Sequence, residues 1–176
     1  KKVTLGENRD GEGIYLLGNI YISDYSFMVD YKRYDRFKVR DYNNPPSCLR
    51  EPNYTLQSRH THEQNLNDET GFSITHFGTY IGEIDLELFY ASVSQIDNTD
   101  RTYNETFVDI YKEWENLGQH AIFEYKNDKY YSSTYSTAIL DGSYKFDDIR
   151  SLGWIFEYQM ETDKSLTKDL NHYSFG

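Results

Sequence analysis

At 176 residues with a single cysteine, Cys48, the chain is long enough to bury a core unaided and has no internal disulfide to hold one together. Its 18 basic and 29 acidic residues leave a net charge of −11. That argues against a general nucleic-acid binder, because counterion release from a phosphate backbone needs a cationic face.

The 18 tyrosines and 10 phenylalanines, against 2 methionines, lean the chain toward strands. Lys1-Lys2 without an initiating Met suggests a processed chain. No apolar run approaches the ~18 residues needed to span a bilayer, and no signal-peptide pattern opens the chain. The expectation is a soluble protein with no membrane span, in a reducing compartment or on a particle or cell exterior that does without disulfides.

Taken in order, Gly6 to Gly13 reads as a polar turn, with Asp10-Gly11 a tight-turn dipeptide. Ile14 to Ser23 is a predicted strand with Gly18 at a bulge or close approach. Tyr25, Phe27, Val29 and Tyr31 alternate with polar residues in a second strand, and Phe37 and Val39 alternate with Arg36, Lys38 and Arg40 in a third. Asn43 to Pro52, with three prolines, is a loop. Residues 53–62 resume a strand, Glu63 to Gly71 form a polar loop, and Phe72 to Thr79 is again a strand.

From Glu83 to Val93, acid and aliphatic alternate and then both faces turn apolar, which suits a strand in the middle of a sheet. Ile84, Leu86 and Leu88 are expected in the core, with Glu83, Asp85 and Glu87 in water. Asn104 as N-cap, an apolar stripe of Phe107, Ile110 or Tyr111, Trp114 and Leu117, and Gly118 as terminator predict one α-helix over about 104–118, anchored by Trp114. Ala121 to Tyr125 and Lys129 to Leu140 read as a hairpin, and Asp141-Gly142 as a turn. Asp147 to Leu152 suggests a helical turn, and Gly153 to Met160 a strand. The polar tail, about 162–176, receives no element.

These elements predict a single mainly β domain over 1–176, an antiparallel β-sandwich or open barrel with one packed helix.

The residues permit several chemistries. His60-Thr61-His62-Glu63 sets two imidazoles on one strand face, with His76 in the next strand, a metal-like arrangement of a cupin kind only if the three converge. The bland reading is a pair of surface histidines, so no metal ligand and no cofactor is assigned. Glu83, Asp85 and Glu87 lie ~6.5–7 Å apart along their strand, near glycosidase carboxylate spacings, but one strand face cannot flank a sugar from both sides. No catalytic residue is assigned.

Tyr31, Lys32, Arg33, Arg36, Lys38 and Arg40 form a basic-aromatic stretch that could grip an anion, or simply face water. Tyr130, Tyr131 and Tyr135, among Ser and Thr, offer a platform for a protein or glycan. The basic triplet Arg36, Lys38 and Arg40 and the acidic triplet of residues 83–87 suit neighbouring strands or a subunit contact.

The leading expectation is a non-catalytic recognition or assembly module that binds a protein or glycan, such as a virion or phage structural subunit, with self-association. The alternatives are a metal-dependent or carboxylate-based enzyme, and an acidic inhibitor or immunity protein.

Overall fold

Most of the chain alternates with a period of two, and the computed structural model turns that alternation into one large sheet. It describes residues 11–36, 46–63, 65, 68–163 and 168–176. The strands are β1 Glu12–Ile22, β2 Tyr25–Asp35, β3 Asp68–Tyr80, β4 Ile84–Ser94, β5 Thr102–Trp114, β6 Leu117–Asp128, β7 Ser133–Lys145, β8 Ser151–Asp163 and β9 Lys168–Phe175. Each pairs antiparallel with the next, in the order β1 to β9, and the sheet does not close. Among the described residues β1 and β9 are its two edges, and nine strands make them run in the same direction.

The connections are shorter at one end of the sheet. There, Ser23-Asp24 joins β1 to β2 and Glu115-Asn116 joins β5 to β6, with positive φ at Ser23 (51°) and Glu115 (25°). Two-residue hairpins need such angles for their twist to match that of the strands. The β3–β4 turn uses Glu83 (φ 57°) and Gly82 (φ 81°) for the same purpose. The longest connection leaves β2 at the opposite end and returns as β3.

Residues 46–63 of that connection fold back over one face of the sheet as a strap, which carries a single 3-10 turn, Gln57–Arg59. Under it lies the apolar core of Phe89, Ala91, Phe107, Ile122 and Ile139, with Leu49 and Tyr54 of the strap and Ile155 packed against it. Burying each large side chain there contributes roughly 1.5–3 kcal/mol. The core is small for a sheet of this size.

The mainly β, antiparallel expectation stands, and the packed helix does not: residues 104–114 belong to β5, and 117–118 open β6. The helical stripe is also a strand, because Tyr103, Glu105, Phe107, Asp109 and Tyr111 share one face and Thr106, Val108 and Ile110 the other. The β-branched and aromatic residues of that run favour the pleated form once neighbours exist on both sides. Trp114 anchors nothing and is 51% exposed.

Other boundaries move too. Residues 53–62 are strap rather than strand, Asp141-Gly142 lies inside β7, and the 147–152 helical turn is a loop running into β8. The tail contains β9. Gly18 keeps regular pairing with Val29, without a bulge. The predicted strand over 36–42 and the Asp10-Gly11 turn fall largely outside the described residues.

Candidate functional site

The two faces of the sheet are chemically unlike. The strap-covered face is polar. Lys32, fully buried on β2, pairs with Glu69, fully buried on β3, and the same carboxylate takes His62 Nε2 at 2.8 Å and the Asn65 N–H at 3.0 Å. Burial opposes ionisation of Glu69, yet these partners together hold its carboxyl below the usual range. Alongside, Asp30 accepts hydrogen bonds from Tyr15 (2.6 Å) and Ser73 (3.0 Å).

The strap is fastened by the same chemistry. Arg50 stacks 3.4 Å over the Phe107 ring and reaches Glu87 at 3.3 Å. Tyr54 donates to Asp141 (2.8 Å), the Leu56 N–H donates to Glu157 (2.7 Å), and Gln159 donates to the Leu56 carbonyl (2.9 Å). Lys126 Nζ donates to the Gln57 carbonyl at 2.8 Å and pairs with Glu124 at 3.0 Å. Beside this pair, burial pushes Glu105 up to about 7, with Lys126 working against it. Burial also raises the Cys48 thiol to about 11, so it is inert at neutral pH. Polar groups of this kind can be buried without prohibitive cost where they are paired, although Gln57 Nε2 and Gln159 Oε1 beneath the strap are buried without a hydrogen-bond partner.

The opposite face is apolar and open. Following the strand register, one row across it reads Ile20, Phe27, His76, Leu88, Val108, Phe123, Ala138, Tyr158 and Tyr173. The next reads Ile22, Tyr25, Gly78, Leu86, Ile110, Ala121, Leu140, Phe156 and Phe175. Neither row contains Asp, Glu, Lys or Arg. The imidazole of His76 is satisfied locally, donating from Nδ1 to the Ser26 carbonyl (3.2 Å) and accepting at Nε2 from Tyr80 (2.8 Å).

The apolar band runs obliquely to these rows. Nearer the long connections a row starts apolar on β1–β3, with Leu16, Tyr31 and Phe72, then turns polar through Ser92, Asn104, Asn127 and Thr134. Nearer the short turns comes a row of Ile84, Lys112, Gln119, Gly142 and Trp154, and beyond it Trp114, Leu117, Tyr144 and Leu152 are again apolar on the later strands. The strands are therefore tilted with respect to the band. Aromatics edge it on both sides: Tyr31, Tyr90, Tyr125, Tyr158 and Tyr173 on one border, and Tyr25, Tyr80, Trp114, Tyr144 and Trp154 on the other.

The sequence-derived candidates scatter across this arrangement. Lys32 is buried on the polar face, Tyr31 and Arg33 point to the other, and Arg36 pairs with Asp35 at the end of β2. Lys38 and Arg40 lie outside the described residues. Tyr130 and Tyr131 sit in the β6–β7 turn, their N–H groups donating to Asp128, and Tyr131 is 76% exposed. Tyr135 is buried against His60 with ring centroids 3.9 Å apart.

His60 faces Glu161, His62 faces Glu69 and His76 lies on the apolar face, so the three histidines do not converge. The strands beside β4 are β3 and β5, Arg36 lies at the end of β2 and Lys38 and Arg40 fall outside the described residues; Glu87 finds Arg50. Ile84, Leu86 and Leu88 lie on the open face and Asp85 and Glu87 on the strap side, the reverse of the expected burial.

Sequence reading missed the strap's fasteners, Arg50, Tyr54, Lys126, Glu157 and Gln159. Their signal was the repeated charge-aromatic alternation, as in Phe123-Glu124-Tyr125-Lys126, in which either face could be the buried one. No helix among the described residues is long and apolar enough to cross a membrane, which says nothing of strands. Compared with known proteins, the chain matches no protein family, no curated protein and no solved structure.

Proposed function

We propose that this sheet is part of the wall of a membrane-embedded β-barrel, with its apolar band against lipid and its strap-bearing face toward a polar lumen. The observation that carries the reading is the apolar band, oblique to the strands and edged on both sides by aromatics, with one charge, Lys112, at its short-turn border, where its ammonium donates to the Gly82 carbonyl. Barrel strands tilt by roughly 35–45° to the membrane normal, so a lipid-facing band must cross the hydrogen-bond rows at an angle. Aromatic side chains favour the two levels where acyl chains meet water. On β3 the band from Phe72 to Tyr80 spans nine residues, at the lower end of the roughly 9–11 of a tilted membrane-spanning strand.

The inner face supports the same orientation. Its buried lysines, Lys32 and Lys126, are paired with carboxylates and its strap resembles a loop folded into a lumen, while the short turns gather at one end and the longer connections at the other, as in outer-membrane-type barrels. The proposal departs from the expectation of no membrane span, which rests on a helical criterion. A strand shows lipid only every second residue, so no continuous apolar run develops. The runner-up remains an assembly module whose open face is covered by another protein; the size of the apolar face favours it over a freely exposed sheet.

The chain's two tryptophans, Trp114 and Trp154, both lie on the border of the band, which provides the test. Refolded into lipid vesicles, the protein should show blue-shifted tryptophan emission quenched by lipids brominated near the headgroup end of their acyl chains. A monodisperse, water-soluble complex with another chain, and no quenching on adding vesicles, overturns the proposal in favour of assembly.

A further inference from the structure

Resting on the barrel reading, we infer that the wall is completed by a second copy of this chain, with β9 of one copy pairing in parallel with β1 of the next. Both edge strands are long, 11 residues in β1 and 8 in β9, and among the described residues neither has a neighbour beyond it. β1 carries none of the devices that keep an edge strand single. From Gly13 to Ile22 it has no charge and no proline, and it pairs with β2 without a bulge. Its side chains are bare on both faces, Leu16 and Ile20 outward and Leu17 and Tyr21 inward. The apolar rows run out to both edges, and open sheet edges do not occur within the hydrocarbon region.

The strap argues that β1 and β9 of one chain do not meet each other. Nine strands closed on themselves enclose little more than an eight-stranded barrel, whose interior is filled by its side chains. Here the interior also holds the backbone of residues 46–63. Two sheets of nine strands, 18 in all, make a wall wide enough for both straps. Because β1 and β9 run in the same direction, rotation about the membrane normal sets β9 of one copy beside β1 of the next and closes the ring. The short turns of both copies then stay on one side. Pairing β1 with β1 would put them on opposite sides of the membrane.

The two edges also fit one another. The aromatic border nearer the long connections passes through the Leu16 row at Tyr31 and leaves the sheet at Tyr173. Carried across the junction, that level sets Tyr173 beside Leu16 and Phe175 beside Gly18. Gly18 has open space where a side chain would stand, and Phe175 is 73% exposed, with Phe156 on one flank. A ring laid over an edge glycine from the neighbouring strand pins the register.

The test refolds two differently tagged full chains together into lipid vesicles, one with Leu16→Cys and one with Tyr173→Cys. Both positions are exposed, so neither change disturbs the core, and the buried Cys48 stays in place as an unreactive thiol. Mild oxidation should join the two tags about fivefold or more in excess of a pairing of Ile22→Cys with Tyr173→Cys, because a disulfide needs Cα atoms within about 7 Å. Leu16→Cys alone should form no disulfide, and the wild type in detergent should have twice the mass of one chain. Tryptophan quenching by brominated lipid reports insertion separately. Quenched chains that stay single, or that join Leu16→Cys to itself, overturn the inference and leave the barrel reading standing. Unquenched chains overturn the barrel reading and the inference with it.

Discussion

Single residues of the polar face decide how this sheet responds to pH and to mutation. Glu105 is buried beside Glu124 and Lys126, and burial raises its carboxyl from the ordinary 4.5 to about 7. A folded-state pKa above the unfolded one means that its contribution is fully present below about 4.5 and is lost as pH rises toward 7. Glu105→Gln should therefore raise stability at pH 8, by at most ~3 kcal/mol, and flatten the stability profile between pH 5 and 7. Denaturant titrations at several pH values, in the same detergent, check this. Lys32 provides the opposite case. Lys32→Ala leaves Glu69 buried with only His62 and a backbone N–H, and breaking one side of a buried pair costs about 3–5 kcal/mol. The Lys32→Met/Glu69→Leu double variant should lose much less, measured by the same unfolding midpoint.

Within the elements, β7 and β8 show how the outer face is finished. Gly142 stands on β7 directly under the indole of Trp154, where an added Cβ would come within 2.5 Å of the ring. The missing side chain is what lets the ring lie flat on the sheet. Gly142→Val should expel the ring, costing about 1–3 kcal/mol as an overpacked site does, with a red shift in the Trp154 component of the emission. A Trp114→Phe background isolates that component. An unshifted spectrum would mean that the ring does not rest on Gly142. The strap is the other decisive element. It contributes little apolar area, through Leu49, Leu56 and Tyr54, and most of its attachment is hydrogen bonds from β6, β7 and β8.

For the molecule as a whole, the question is what covers the apolar face. Leu88 sits mid-band on β4, whereas Ser92 on the same face of the same strand lies at its border. Arginine at the centre of a lipid-facing band costs roughly 2–4 kcal/mol and close to nothing near its edge. Leu88→Arg should therefore impair folding into vesicles far more than Ser92→Arg does, as read by the urea midpoint in lipid. Equal tolerance of the two would indicate that the face does not meet lipid at those depths.

The amino-acid sequence by itself determined the secondary structure of most of this chain, because period-2 alternation with β-branched and aromatic residues has one good local solution. It made β1, β2, β3, β4, β6 and β8 legible and misassigned β5 to a helix, since Phe107, Ile110, Trp114 and Leu117 fit a helical spacing. It also showed that Ile84, Leu86 and Leu88 share a face apart from Asp85 and Glu87. Which face is enclosed was decided only in the tertiary structure. Alternation is symmetric between inside and outside, and the choice falls to long-range partners: Arg50 for Glu87, His62 and Lys32 for Glu69, and the Leu56 backbone for Glu157 and Gln159. Once a strap supplies those partners, burying the polar face costs little. The apolar face is then left to meet whatever nonpolar medium surrounds the protein.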